Sequence, residues 1–282
     1  MKLDGVIAAC VTPWRHGDQV DEPALWRHLE MLLAAGVSGV CVAGSTGEFP
    51  RLDRSSFERL VRAAVEFAAG RVPILAGCGA ASLDGAIELA RIAAQSGASA
   101  VVALPPIYFP YAQREIVAFY ERFTAEATLP VFLYNIPQFT SVVEPATAVA
   151  LLKRGMFVGM KDSGGTPEML DAILALRRER EFSFLWGSDS SLLNALNRGV
   201  DGALSGVAAC APELLVALYR TRDPALHTKL AEFIDRLGNF PTPIGVRIAL
   251  EARGIAVGPH AVPVPADQAR EFALWFERWL GA

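Results

Sequence analysis

The chain has 282 residues, 52% of them hydrophobic and 20% charged, with a formal net charge of −4. That balance excludes a disordered polar chain, and without any run of Lys and Arg interleaved with aromatics it gives no footing for nucleic acid or an anionic membrane surface. No apolar run approaches the roughly eighteen residues of a membrane span, and Cys10, Cys41, Cys78 and Cys210 stand far apart without ligand spacing, so buried reduced thiols and a cytoplasmic location are expected.

From Gly5 onward, short and nearly continuous apolar runs alternate with longer amphipathic segments, the pattern of parallel strands covered on both faces. The run Val6–Val11 precedes a helical pattern over Glu22–Ala35 that Asp21 can cap, and Gly39–Ala43 precedes Arg54–Ala69. Val72–Ala76 leads to Leu83–Ser96, Ala100–Leu104 to Arg114–Ala127, and Val131–Tyr134 to Pro145–Lys153. Phe157–Lys161 leads to Pro167–Arg180, where Thr166-Pro167-Glu168 reads as a cap, a first-turn proline and an early acid. Phe182–Trp186 then precedes Ser190–Arg198, and Gly202–Ser205 precedes Pro212–Arg220. No Gly-x-Gly-x-x-Gly turn follows the first strand, so eight such units predict an α/β fold of the closed (β/α)8 TIM-barrel type over residues 1–222. Thereafter only helices are expected, over Pro224–Leu237, Ile244–Arg253 and Ala266–Leu280, forming a small appendix of residues 223–282.

Catalytic groups of such a barrel stand at the carboxyl ends of its strands. That filter selects Gly44-Ser45-Thr46-Gly47-Glu48, Tyr108, Tyr134-Asn135, Lys161-Asp162-Ser163-Gly164-Gly165 and Gly187-Ser188-Asp189. Lys161 closes an apolar run, and a lysine at that depth tends to lose its charge by desolvation, which frees a nucleophile for carbonyl carbons. A lysine that simply emerges at the strand mouth and pairs with Asp162 or Glu168 fits the position equally well. Two hydroxyls between Gly44 and Gly47 can cradle a carboxylate, or form only a strand-to-helix turn. The Tyr134 hydroxyl can serve as acid and base beside Lys161, although a strand-end tyrosine is more often a packing residue with a wet tip. Asp189 can accept from substrate hydroxyls or cap the next helix.

Gly44–Glu48, Tyr134-Asn135-Ile136-Pro137 and Gly159–Gly165 together resemble the three signatures of the dihydrodipicolinate synthase/N-acetylneuraminate lyase family, and the resemblance runs over essentially the whole chain. It implies that Lys161 forms a Schiff base with pyruvate or a pyruvoyl substrate and that a carbon–carbon bond beside it is made or broken, with no organic cofactor and no metal. Tyr134 would be the acid and base, and Ser45 and Tyr108 would extend a hydroxyl relay. The tyrosine matching Tyr108 reaches a neighbouring subunit's site in this family, which implies a homotetramer built as a dimer of dimers. Thr46, Gly44 and Gly47 would hold the carboxylate, and the Leu204 carbonyl would lie close to the lysine. Glu48 is expected to be structural. His16, His28, His227 and His260 lack ligand spacing, which argues against a zinc-dependent aldolase.

One departure bears on the substrate. The lysine-biosynthetic synthases carry an arginine in the loop after the strand-five tyrosine, where this chain reads Pro137-Gln138-Phe139-Thr140, and Phe139 cannot make that charge-assisted contact. The sialic-acid lyases carry an acidic pair where this chain has Asp189-Ser190. Gly47-Glu48-Phe49-Pro50 and Gly159–Gly165 look most like aldolases acting on a 4-hydroxy-2-oxo acid (4-hydroxy-2-oxoglutarate among them) or a 2-keto-3-deoxy sugar acid, with pyruvate and an aldehyde as the small-molecule partners. Dihydrodipicolinate synthesis, a dehydratase on the same lysine and a non-enzymatic sugar-acid sensor are the alternatives.

Overall fold

A computed structural model describes residues 1–16 and 18–281 of the chain. Eight parallel strands close a barrel: β1 (Gly5–Ala9), β2 (Gly39–Val42), β3 (Ile74–Gly77), β4 (Ala100–Ala103), β5 (Val131–Asn135), β6 (Gly159–Asp162), β7 (Ser183–Trp186) and β8 (Gly202–Ser205). Each strand pairs with its sequence neighbours, and β8 returns to β1 with Gly5 opposite Gly202. The helices that cover them are α1 (Glu22–Ala34), α2 (Arg54–Ala68), α3 (Leu83–Gln95), α4 (Gln113–Glu126), α5 (Pro145–Lys153), α6 (Pro167–Leu176), α7 (Leu192–Arg198) and α8 (Pro212–Thr221).

Every residue of the eight strands is buried, which is why the sequence shows continuous apolar runs instead of alternation. The alternation persists in direction. Ile7, Cys41, Leu75, Val102, Phe132, Tyr134, Leu185 and Leu204 belong to the cluster inside the barrel. Val6, Val40, Ala76, Val101, Leu133 and Phe184 belong to the larger cluster beneath the helices. The caps read from sequence form, Asp21 and Thr166 accepting from the amides of Ala24 and Met169, and Asp53 and Ser82 cap α2 and α3 in the same way through the amides of Ser56 and Gly85.

Three local features differ from expectation. The chain between β1 and α1 pairs Trp14–Arg15 antiparallel with Gln19–Val20, a ribbon too short for its period to show in sequence. Helix α6 stops at Leu176 instead of Arg180, and the turn that follows directs the Arg180 guanidinium to the carbonyls of Leu152 and Phe157. The helix expected from Ser190 begins at Leu192, behind a 3-10 turn over Asp189–Ser191, so Asp189 lies within that turn and does not cap the helix.

Three further helices, α9 (Pro224–Leu237), α10 (Ile244–Ala252) and α11 (Ala266–Gly281), follow the barrel. Phe233, Phe272, Phe276 and Trp279 stack between α9 and α11. Helix α10 is deeply buried, and its Arg247, fully enclosed, donates to the Thr12 carbonyl at 3.0 Å and to Glu48 Oε2 at 2.7 Å. That pair ties α10 to the loop after β2. No helix among the described residues is long and apolar enough to cross a membrane.

Candidate active site

Strand register places the lysine. Lys161 on β6 sits opposite Tyr134 on β5 and Leu185 on β7, both inward residues, so Lys161 points into the barrel and Asp162 points out. Lys161 is 8% exposed, and its Nζ stands 4.1 Å from the centroid of the Tyr134 ring. The bland alternative of an Asp162 partner is removed by this parity. Asp162 accepts instead from Asn135 Nδ2 at 2.7 Å and from the Gly165 and Gly164 amides at 3.0 and 3.3 Å. Burial pushes the Asp162 carboxyl up from its ordinary value, against those hydrogen bonds. Glu168 is exposed on the first turn of α6. On β7's carboxyl side, Gly187 makes room for the lysine stem: a Cβ there would stand 2.9 Å from Lys161 Cε and closer still to Ser163 Oγ.

Tyr134 is buried at the same level. Its backbone carbonyl accepts from the Tyr120 hydroxyl at 3.3 Å, and its own hydroxyl accepts from Ser163 Oγ at 3.4 Å. Ser163 follows Lys161 by two residues and therefore shares its direction, a parity that sequence reading had available and did not use. Gln138 Nε2 donates to the Ser163 carbonyl at 3.0 Å.

The loop after β2 is held from both ends. Thr12 Oγ1 donates to the Gly47 carbonyl at 2.7 Å, and a Cβ at Gly47 would meet the Cys10 carbonyl at 3.0 Å. Glu48, with φ of 54°, accepts from Trp14 Nε1 at 3.0 Å, Arg51 Nη1 at 2.9 Å and Arg247, so its carboxylate is fully engaged away from the lysine. The loop thereby presents Thr46, which is buried, and Ser45, whose sheltered hydroxyl has no partner among the described residues. A buried hydroxyl without a partner carries a desolvation cost that a ligand oxygen removes.

Ser45, Thr46, Tyr134 and Lys161 line one cleft of ≈ 370 Å³, and Phe139, Asp189 and Ser190 line it as well. One carboxylate oxygen of Asp189, Oδ1, is buried with no hydrogen-bond partner among the described residues. Burial pushes the Asp189 carboxyl up to about 6, opposed by hydrogen bonds from Ser205 and the Val207 amide and by the Lys161 charge. Ser190 is exposed, 3.3 Å from the Ser188 hydroxyl. Gly44 and Gly47 shape the loop without lining the cleft, and Leu204 is packed inside the barrel on β8. Tyr108 is not in the cleft of its own chain: it is 86% exposed, with φ of 82°, and packs edge-on against Phe109. Sequence reading missed the wall supplied by α9, α10 and the link between them, where Leu237, Thr242, Pro243 and Val246 line the same cleft as Lys161. Among the described residues, no group of three or more His, Cys, Asp or Glu side chains is placed to hold a metal ion. The arrangement offers an enclosed amine, a phenol at its side and hydroxyls free to receive a carboxylate.

Residues 2–272 match the dihydrodipicolinate synthetase family. An uncharacterized DapA-like lyase of Halobacterium salinarum is 36% identical over 93% of this chain and 88% of its own length. A 4-hydroxy-tetrahydrodipicolinate synthase of Xanthomonas campestris is 35% identical over 96% of this chain and 92% of its own length. Among solved structures, dihydrodipicolinate synthase from Thermotoga maritima superposes with a TM-score of 0.93 at 27% identity, covering 100% of this chain and 99% of that one. YagE, a prophage protein of E. coli K12 solved in complex with pyruvate, superposes with a TM-score of 0.90 at 26% identity over 98% of both chains.

Proposed function

Because the chain belongs to the dihydrodipicolinate synthetase family and is a class I pyruvate-dependent lyase, we propose that Lys161 is its Schiff-base lysine and that the cleft above it cleaves or forms 4-hydroxy-2-oxo acids, 2-keto-3-deoxy sugar acids among them. The observation that carries this reading is the enclosed Lys161 Nζ, 4.1 Å from the Tyr134 ring centroid and with Asp162 turned out of the barrel. The amine adds to the ketone carbon of the 2-oxo acid, and loss of water leaves an iminium. In cleavage, the C3–C4 bond breaks, its electron pair passes into the iminium to give an enamine, and the C4 hydroxyl proton leaves to the Tyr134 side. Aldehyde departs, C3 takes a proton, and water returns Lys161 and pyruvate. No cofactor enters this sequence.

Tyr134 acts as acid and base, with Ser163 on its hydroxyl and Ser45 as the further hydroxyl of the relay. Thr46 and the amides between Gly44 and Gly47 receive the pyruvate carboxylate, and the Leu204 carbonyl bounds the lysine from β8. Tyr108, outside its own cleft, serves the site of a second copy, in a homotetramer built as a dimer of dimers. Residues 1–222 form the catalytic barrel and residues 223–282 an appendix whose α9 and α10 wall the cleft. Asp189, Ser190, Ser188 and Gln138 give one side of the cleft hydrogen-bonding groups for substrate hydroxyls. Against 4-hydroxy-tetrahydrodipicolinate synthesis, the activity for which the Xanthomonas relative is named, stands Phe139, apolar and 53% exposed at the opening. The test is pyruvate release from a set of 4-hydroxy-2-oxo acids: turnover of at least one is expected, with Lys161→Ala inactive and Tyr134→Phe slower by about 10² or more. Normal turnover by Lys161→Ala would overturn the proposal.

A further inference from the structure

Beside the lysine cleft lies a second one of ≈ 420 Å³, and Ser45, Phe139, Thr242 and Pro243 line both, so the two are confluent. Their characters differ. The first is edged by Ser188, Asp189, Ser190 and Gln138, whereas Phe49, Ile107, Pro241, Ile244 and Val262 wall the second. Phe139 and Val262 stand half-exposed at its rim, 53% and 51% accessible within the single chain.

The only cations among the described residues lining either cleft are Lys161 and Arg51. Arg51 is already compensated: it pairs with Glu48 at 2.9 Å and with Asp18, and its guanidinium lies 4.5 Å over the Trp14 ring. Glu48, the acid of the second cleft, is consumed by Arg247, Arg51 and Trp14. A distal carboxylate would therefore enter an apolar recess with no free cation and would lose its hydration without replacement. An alkyl or aryl group there exchanges water for Phe, Ile, Val and Pro side chains.

We propose that this recess confers a further activity, the retro-aldol cleavage and synthesis of 4-hydroxy-2-oxo acids whose C4 substituent is an uncharged aryl or alkyl group. This rests on Lys161 as the Schiff-base residue. The bond chemistry is that given above: C3–C4 breaks, the pair enters the iminium, the C4 hydroxyl proton is released, and the leaving aldehyde is benzaldehyde-like or aliphatic.

The experiment compares kcat/KM of the full-length enzyme for 4-hydroxy-2-oxo-4-phenylbutanoate and for 4-hydroxy-2-oxoglutarate, with borohydride trapping of pyruvate in parallel. The phenyl substrate is expected to exceed the dianion by about tenfold or more, and Val262→Glu and Phe139→Arg are each expected to lower that ratio by about tenfold. Thermal unfolding of each variant checks that it folds. A pyruvate adduct accompanied by equal or greater activity on the dianion, or by a ratio that neither variant moves, overturns the recess as an apolar-substrate site while leaving the lysine reading intact. Absence of any pyruvate adduct overturns the lysine reading and the inference with it.

Discussion

Glu48→Gln tests whether the carboxylate beside the hydroxyl loop is a tether or a catalytic acid. The substitution keeps the shape and the acceptor for Trp14 Nε1 but removes the charge facing Arg247, which is fully buried, and Arg51. Breaking a buried ion pair by removing one partner costs about 3–5 kcal/mol. Arg247 retains the carbonyls of Thr12 at 3.0 Å and Val257 at 2.6 Å, so the lower end applies, about 3 kcal/mol. At about 2 °C per kcal/mol for a chain of this size, Tm should fall by about 6 °C. The loop that carries Ser45 and Thr46 is held by the same contacts, so KM for pyruvate should rise, while the fraction of enzyme trapped by borohydride at saturating pyruvate stays near that of the parent. Differential scanning calorimetry and single-turnover trapping read the two effects separately. An unchanged Tm together with lost trapping would refute the tether and make Glu48 part of the chemistry.

Gly187→Ala places a methyl 2.9 Å from Lys161 Cε, so the rate of imine formation, measured by stopped-flow or quenched trapping, should drop by about tenfold or more, with a loss of stability of about 1–3 kcal/mol from overpacking. Ser163→Ala removes the donor to the Tyr134 hydroxyl, and kcat should fall more than KM changes; an unaltered pH–rate profile would exclude Ser163 from tuning Tyr134. Asp189 has a folded-state pKa raised to about 6, so its neutral form is favoured in the native protein. Its contribution to stability is therefore fully present below about pH 4 and is lost as pH rises through about 6. Urea denaturation across that window should show Asp189→Asn gaining on the parent as pH rises, and a constant difference would contradict the assignment.

The barrel was legible because parallel strands buried on both faces must be apolar throughout, and all eight runs, those ending at Leu104, Tyr134 and Trp186 among them, lie within a few positions of observed strands. Boundaries moved where tertiary contacts decided them, as when Arg180 left the helical pattern for two backbone carbonyls. Lys161, Tyr134, Ser45 and Thr46 could be found since strand ends meet at one mouth whatever the loops do. Tyr108, also selected at a strand end, is 86% exposed and lies outside the cleft that the other strand ends share, which no pattern along the chain distinguishes. The Glu48–Arg247 pair joins residues 199 positions apart, and no local pattern encodes it. The single arginine in the otherwise apolar stretch Ile244–Leu250 was its one trace. Ser163 was selected with its motif but given no role of its own, although alternation along the chain already pointed its side chain the same way as that of Lys161.

The central claim is that one lysine, enclosed by the barrel, condenses with a 2-oxo acid. Incubation with pyruvate, borohydride reduction and peptide mass mapping decide it: a reduced pyruvyl adduct should be found on Lys161, absent from Lys2, Lys153 and Lys229, and prevented by Lys161→Ala. An adduct on any other lysine, or none at saturating pyruvate, would contradict the account.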